Sequence, residues 1–164
     1  MATVTSIPSG NWNAGSTWDS GARPGSSDDV IIDNGHTVTL VQPENANSLT
    51  VNTGGIYDGD GNILTISGES VAGWAARFNN GSISGTDSDF TITTAATTAV
   101  DFNGSAGNPR HLVLNHASLK CNTEDTLTLS GDLTITAGEL DTTGNQLTVT
   151  GNTIVGDGSA AADT

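Results

Sequence analysis

The chain has 164 residues and a mass of 16.5 kDa, which suits a single domain, residues 1–164, with a substantial core. It carries 18 acidic residues against four basic ones, a formal net charge of −14 at pH 7. Four scattered cations cannot form the basic surface that nucleic acids or anionic membranes require, so the composition excludes both as partners.

The first nine residues, MATVTSIPS, alternate like a short strand that ends at a proline. They contain neither the basic region nor the apolar region of a signal peptide, so we expect synthesis and assembly in a cytoplasm. We predict that residues 1–9 form an attachment arm that adds a strand to the sheet edge of a partner. The alternative is a frayed terminus. The predicted attachment residues are Val4, Thr5, Ser6 and Ile7.

Residues 10–40 read GNWNAGSTWDSGARPGSSDDVIIDNGHTVTL, with two tryptophans in a turn-rich stretch. An open end of a β-structure exposes apolar side chains and an unpaired strand edge, and large flat side chains can cover both. We therefore interpret residues 10–45 as a cap followed by the first strands, rather than as an exposed ligand platform. The predicted cap residues are Trp12, Trp18, Pro24, Val30, Ile32 and His36.

Short runs in which apolar residues alternate with Thr, Ser or Asn fill most of the remaining chain, and Gly, Asn or Asp separates them. This pattern predicts an all-β fold. The one helix-like window, residues 70–80, is predicted as a short helix or a loop, with Trp74 and Phe78 on one face.

The strands also repeat with a period of about 21 residues. LTISG at 64–68 recurs as LTLSG at 127–131 and LTVTG at 147–151, and residues 48–68 align with residues 132–151. In that alignment Leu49 corresponds to Leu133. The repeat favours a short parallel β-helix or β-solenoid over residues 46–155, with the antiparallel β-sandwich as the alternative. Residues 156–164 are predicted to be a flexible acidic tail.

The opening motif resembles the start of phage and bacterial surface β-helix proteins and of the G8-type domain. The matching positions are Gly10, Trp12, Thr17, Trp18, Gly21, Pro24, Asp29, Val30, Ile32, Gly35, His36, Thr37 and Val38. The resemblance, with the expected cytoplasmic assembly, implies a non-enzymatic phage capsid decoration (cement) protein. Such a protein stabilises the major capsid protein lattice from the outer capsid surface of the virion, and we expect a homotrimer. The alternatives are a fibre or adhesin-like module that binds host glycans through Trp74 and Tyr57, and a fragment of a bacterial surface solenoid.

Few residues predict chemistry, and we expect no cofactor and no enzymatic activity. Asp58, Asp60 and Asn62, with Glu69, fall at calcium-loop spacing, but a solenoid corner explains them as well. The acidic cluster of Asp28, Asp29 and Asp33 near His36 is interpreted as turn and capping residues rather than a glycosidase pair. His111 and His116 are predicted on opposite strand faces, which disfavours a shared metal. Cys121 is predicted to be a small buried residue.

Overall fold

A computed structural model describes residues 2–85, 87–102 and 107–156. Over these ranges the chain is a parallel β-solenoid of about seven turns, with one short 3-10 helix at Gly15–Thr17. The strands within the described ranges are β1 Thr3–Thr5, β2 Gly10–Asn11, β3 Asp29–Ile32, β4 Thr37–Thr39, β5 Glu44–Ala46, β6 Ser48–Val51, β7 Ile56–Asp58, β8 Ile63–Ile66, β9 Trp74–Phe78, β10 Ser82–Ser84, β11 Asp89–Ile92, β12 Thr97–Asp101, β13 Leu112–Thr123, β14 Leu127–Leu129, β15 Leu133–Asp141, β16 Leu147–Val149 and β17 Thr153–Val155.

The strands form three faces. The first face runs β1, β3, β6, β9, β12 and then the C-terminal parts of β13 and β15. The second runs β5, β8, β11, the N-terminal parts of β13 and β15, and β17. The third contains β2, β4, β7 and β10, followed by the pair β14 and β16. Every ladder between these strands is parallel, so the predicted solenoid is confirmed and the antiparallel sandwich is wrong.

Columns of aligned side chains build the core. On the second face Ile66, Ile92, Leu114, Ile135 and Val155 are ladder partners in successive turns. Inward positions are apolar and the alternate outward positions are mostly Thr, as the period of two requires. An aromatic cluster fills the middle of the solenoid. The ring of Phe90 lies among the other three rings, and its centroid is 4.9 to 6.3 Å from each of theirs. Its members are Tyr57, Phe78, Phe90 and Phe102.

The predicted helix or loop over residues 70–80 is wrong, because this window contains strand β9. Ladder register shifts where Ala99 pairs with Trp74 and Val100 pairs with Ala76, so Ala75 is the extra residue of a β-bulge. Because a bulge reverses the alternation of side chains, Phe78 is buried while Trp74 lies partly in solvent.

The sequence repeat predicts the approximate length of a solenoid turn, but the strands that it aligns do not always lie on the same face. Leu127 and Leu147 are direct ladder partners on the third face, as their matching sequences predict. Leu49, in contrast, lies on the first face while its aligned counterpart Leu133 lies on the second. Turn lengths differ as well, from 19 residues between Val30 and Leu49 to 28 between Gly10 and Val38. The three faces use the same strand and corner residues, so similarity alone cannot distinguish them.

The segment predicted as a free arm belongs to the solenoid. Strand β1 pairs in parallel with β3, and the side chains of Val4 and Ser6 are buried. Only Ile7 among the four predicted attachment residues has a largely exposed apolar side chain, with 58% of its surface accessible. The strand predicted to pair with a partner thus pairs with β3 of its own chain, beginning at Thr3. The predicted tail lies outside the described residues from residue 157 onward.

Candidate functional site

The two tryptophans of the opening motif are inside the protein. Trp12 is 0% exposed and Trp18 is 1% exposed, and their rings meet edge to face with centroids 5.2 Å apart. The indole Nε1–H of Trp18 donates a hydrogen bond to the Trp12 carbonyl oxygen at 2.7 Å. Neither ring is accessible to a ligand, so this pair fills the first turn of the solenoid instead of forming a binding platform.

The cap also covers the outer edge of β1. The backbone N–H of Ile7 donates to the Thr17 carbonyl, and that of Asp19 donates to the Thr5 carbonyl, each at 2.9 Å. The carboxylate of Asp19 in turn accepts a hydrogen bond from the Thr5 N–H. An unpaired strand edge is a site for association with another chain. Residues 17–19 therefore close this edge within the chain itself.

The other predicted cap residues surround the same end. Val30 and Ile32 are buried in β3, and Pro24 is buried in the loop that precedes it. His36 is half-buried, and its Nδ1 is hydrogen-bonded to the Ser6 hydroxyl at 2.9 Å. This contact links the corner at Gly35, where φ is +77°, to the end of β1.

A buried carboxylate lies beneath the cap loop. Glu44 occupies an inward position of β5, aligned with Leu64, and is 1% exposed. Arg23 reaches it from the cap loop, with Nη2 2.7 Å from Oε2, but neither carboxylate oxygen receives a well-aligned hydrogen bond. Burial raises the pKa of Glu44 above its ordinary value of 4.5, and the positive charge of Arg23 only partly opposes this rise.

Replacing Glu44 with glutamine (E44Q) is expected to flatten the dependence of stability on pH. A raised pKa in the folded state means that the unfolded state loses its proton first as the pH rises. The contribution of Glu44 to stability is therefore lost from about pH 4.5 upward through its folded-state pKa, and E44Q removes this contribution. Urea unfolding at about pH 4 and about pH 7 measures the difference. E139Q, at an exposed acid paired with Lys120, is the control, and equal slopes for wild type and E44Q would contradict the expectation.

The residues at calcium-loop spacing form a solenoid corner. Asp60 and Gly61 both have positive φ, 45° and 75°, and the Asp58 carboxylate accepts a hydrogen bond from the Asp60 N–H. The Asn62 amide donates to the Leu40 carbonyl of the preceding turn at 3.2 Å. Several turns later, at the corner between β15 and β16, the Asn145 amide donates to the Thr123 carbonyl in the same manner. The pattern Gly-Asn thus joins successive turns at a corner, which accounts for these side chains without an ion.

The acidic cluster near His36 also serves the backbone and the turns. The Asp28 carboxylate accepts from the Gly25 N–H, and that of Asp29 accepts from both the Asn47 amide and the Ser48 hydroxyl. Hydrogen bonds from the Asn34 backbone and the Asn52 side chain hold the pKa of Asp33 below its usual value. A general acid needs a raised pKa, so Asp33 is unsuited to that role.

A groove that sequence reasoning missed lies on the second face. It has a volume of about 300 Å³. The guanidinium of Arg110 donates two hydrogen bonds to the Asp89 carboxylate, from Nε to Oδ1 at 2.8 Å and from Nη2 to Oδ2 at 2.6 Å. The groove is lined by Ile63, Asp89, Phe90, Thr91, His111, Val113, Asp132 and Thr134.

His111 and Asp132 are ladder neighbours in this groove. The backbone N–H of Asp132 donates to His111 Nδ1 at 2.8 Å. Asp132 Oδ2 lies 3.6 Å from the same nitrogen. Asp132 Oδ1 accepts from the backbone N–H of Asn152 in the following turn at 2.7 Å. Both carboxylates of the groove thus accept hydrogen bonds from a residue of the following turn.

The ion pairs join oppositely charged residues that lie about one repeat apart in the sequence. Arg23 with Glu44 and Arg110 with Asp89 are each separated by 21 residues, which is one turn. Lys120 with Glu139 is separated by 19. The fourth cation, Arg77, lies over the Trp74 ring at 4.8 Å from its centroid. A search for opposite charges about one repeat apart would have included the three ion pairs, together with other pairs at similar spacing such as Lys120 with Asp141.

The two aromatic residues predicted to contact glycans differ in accessibility. Tyr57 is 0% exposed, its hydroxyl has no hydrogen-bond partner, and burial raises its pKa well above the ordinary value. Its assignment to a glycan surface is therefore wrong. Trp74 is half-buried and the Arg77 guanidinium covers its ring.

The remaining chemistry-bearing residues do not converge. His116 Nδ1 accepts a hydrogen bond from the Ser118 N–H in its own loop. Cys121 is buried as predicted, and burial raises its pKa to about 12, which makes it a poor nucleophile. Within the described ranges, no three His, Cys, Asp or Glu side chains come together as metal ligands. Over the same ranges, no helix has the length and apolar character needed to cross a membrane.

Compared with protein-family models, with curated proteins and with solved structures, the chain matches none. The resemblance of its opening motif to phage and bacterial surface β-helix proteins therefore stays a prediction.

Proposed function

We propose that the chain is a non-enzymatic structural protein of a phage particle, which decorates the outer capsid surface and stabilises the major capsid protein lattice. The observation that carries the proposal is that polar side chains of the groove form hydrogen bonds between successive turns. In the groove of the second face, Asp89, His111 and Asp132 each bond to a residue of an adjacent turn. Such bonds use these side chains to join successive turns, which supports a structural role for them.

The cap supports the same proposal. A ligand-binding module would present Trp12 and Trp18 to solvent, whereas here both rings are buried within the first turn. The net charge of −14 keeps the free protein soluble at high concentration, which suits a component present in many copies. A homotrimer at the lattice three-fold axis stays a prediction of this proposal.

Mixing the purified chain with expanded capsids of the phage that encodes it tests the proposal. We expect saturable binding at a fixed copy number per capsid and a higher melting temperature of the decorated particles. Bovine serum albumin, another acidic protein, is the control for non-specific adsorption. Absence of binding to capsids, together with binding on a glycan array, would refute decoration and favour the adhesin-like alternative.

A further inference from the structure

The groove on the second face lies between two columns of outward side chains. One column contains His111 and Asp132, and the other contains Thr91, Val113 and Thr134, which are ladder partners in three successive turns. Outward positions two residues apart on one strand are about 7 Å from each other, and those in neighbouring turns are about 4.8 Å apart. The volume of about 300 Å³ is at the lower end of the range for small-molecule sites.

The hydrogen bonds between turns use only some of the polar atoms in this groove. Asp132 accepts the Asn152 N–H through Oδ1, whereas Oδ2 accepts no hydrogen bond from the described residues, and 36% of the side chain is exposed. His111 accepts through Nδ1, and its Nε2 has no described partner. The hydroxyls of Thr91 and Thr134 also form no hydrogen bond within the described part of the chain. These four groups are therefore available to a ligand.

Apolar side chains lie beside these polar groups. Val113 occupies the outward position between Thr91 and Thr134, and Ile63, from an earlier turn of the same face, is 42% exposed. Small-molecule sites commonly combine an apolar surface with a few polar groups that fix the orientation of the ligand. The groove thus offers both kinds of contact within one short stretch of the face.

The charges in the groove disfavour ionic ligands. An anion would meet the carboxylates of Asp89 and Asp132, in a chain whose net charge is −14. A cation would find Asp89 already paired with the Arg110 guanidinium at 2.6 Å, and only one oxygen of Asp132 left. A wholly apolar ligand would take that oxygen and the hydroxyls out of water without a partner. A neutral molecule with several hydroxyl groups avoids all three penalties.

We propose that this groove binds a neutral saccharide, either a free mono- or disaccharide or the end of a longer glycan chain. Hydroxyls of the ligand bond to Asp132 Oδ2, Thr91 and Thr134. A sugar ring has C–H groups on its faces, and one such face packs on Val113 and Ile63. The inference goes beyond the proposed capsid role and does not depend on it, because one chain supplies every group of the site.

Saturation-transfer NMR of the full chain with a panel of neutral hexoses and hexose disaccharides tests the site, and an array of longer neutral and acidic glycans extends the test to chains. We expect the wild type to bind neutral members. Thr134→Val keeps the shape of the side chain but removes its hydroxyl, and it is expected to weaken binding at least about threefold. Asp132→Asn keeps Oδ1 for the Asn152 N–H, and it is expected to weaken binding at least about tenfold.

Two substitutions outside the groove are the matched controls. Thr65→Val changes the ladder partner of Thr91 in the preceding turn, a residue that does not line the groove. Asp141→Asn, on the first face, removes a carboxylate that accepts the N–H of Thr143 through Oδ1. We expect both controls to bind as the wild type does. Circular dichroism establishes that every variant is folded, and two groove variants guard against loss of one to misfolding.

Binding of neutral sugars that T134V or D132N weakens and that both controls retain supports the proposal. The same pattern on the array alone supports it for the end of a glycan chain. Absence of binding to every neutral sugar and glycan would overturn it, as would a preference for acidic glycans or equal weakening by T65V or D141N. Sugar binding without capsid binding would count against the proposed function alone, and capsid binding without sugar binding against this site alone.

Discussion

Replacing Trp18 with alanine is expected to lower the free energy of unfolding by about 3–5 kcal/mol. The side chain is 1% exposed, packs edge to face on Trp12, and holds the Trp12 carbonyl with its indole N–H. Alanine leaves a cavity, removes the hydrogen bond and uncovers the first turn of the core. Urea unfolding followed by circular dichroism measures the change.

Trp74→Ala is the matched control for this substitution. Trp74 is half-buried and its main partner is the guanidinium of Arg77, so we expect a loss of about 1 kcal/mol. If W18A kept full stability but lost binding to capsids or to glycans, Trp18 would be a ligand-binding residue and the cap interpretation would be wrong.

Phe90→Ala is expected to cost a similar amount, about 3–5 kcal/mol. Phe90 is 0% exposed and lies in the middle of the aromatic cluster, with its ring centroid 4.9 Å from that of Phe102 and 5.2 Å from that of Tyr57. Core columns on either side prevent the site from collapsing onto the cavity. Chemical denaturation compares the variant with wild type.

Two milder substitutions in the same cluster separate volume from polarity. Phe90→Leu keeps most of the volume and is expected to cost less than half as much as alanine. Tyr57→Phe removes a buried hydroxyl that has no partner, so stability should be unchanged or higher. A loss below about 1 kcal/mol for F90A would show that this cluster is not the centre of the core.

Period-two patterning predicted an all-β fold, and the repeat of about 21 residues favoured the solenoid over the antiparallel sandwich, because each turn uses the same local chemistry. Because the turns are so similar in sequence, the assignment of strands to faces could not be predicted. Leu49 and Leu133 have similar sequence neighbours but lie on different faces. Face assignment depends on how many residues each corner takes, and small differences there shift a strand by a third of a turn.

Two local errors have physical causes. Trp74, Ala75 and Ala76 look helical because alanine favours helices, but the ladder with β12 imposes a strand and admits Ala75 as a bulge. The alternating segment around Val4 could pair with the edge of any sheet, and it pairs with β3 in its own chain. In both cases the local sequence is compatible with more than one structure, and pairing with a strand distant in sequence determines which one forms.

Amide hydrogen exchange of dilute protein tests the two ends of the described solenoid most directly, because residues 17–19 cover the edge of β1, whereas β16 and β17 each pair with one strand only among the described residues. We expect the slowest exchange in β3 and β6, strong protection in β1 beneath residues 17–19, and the fastest strand exchange in β16 and β17. Protection of β17 equal to that of β6, or exchange of β1 as fast as that of β17, would contradict this account of the two ends.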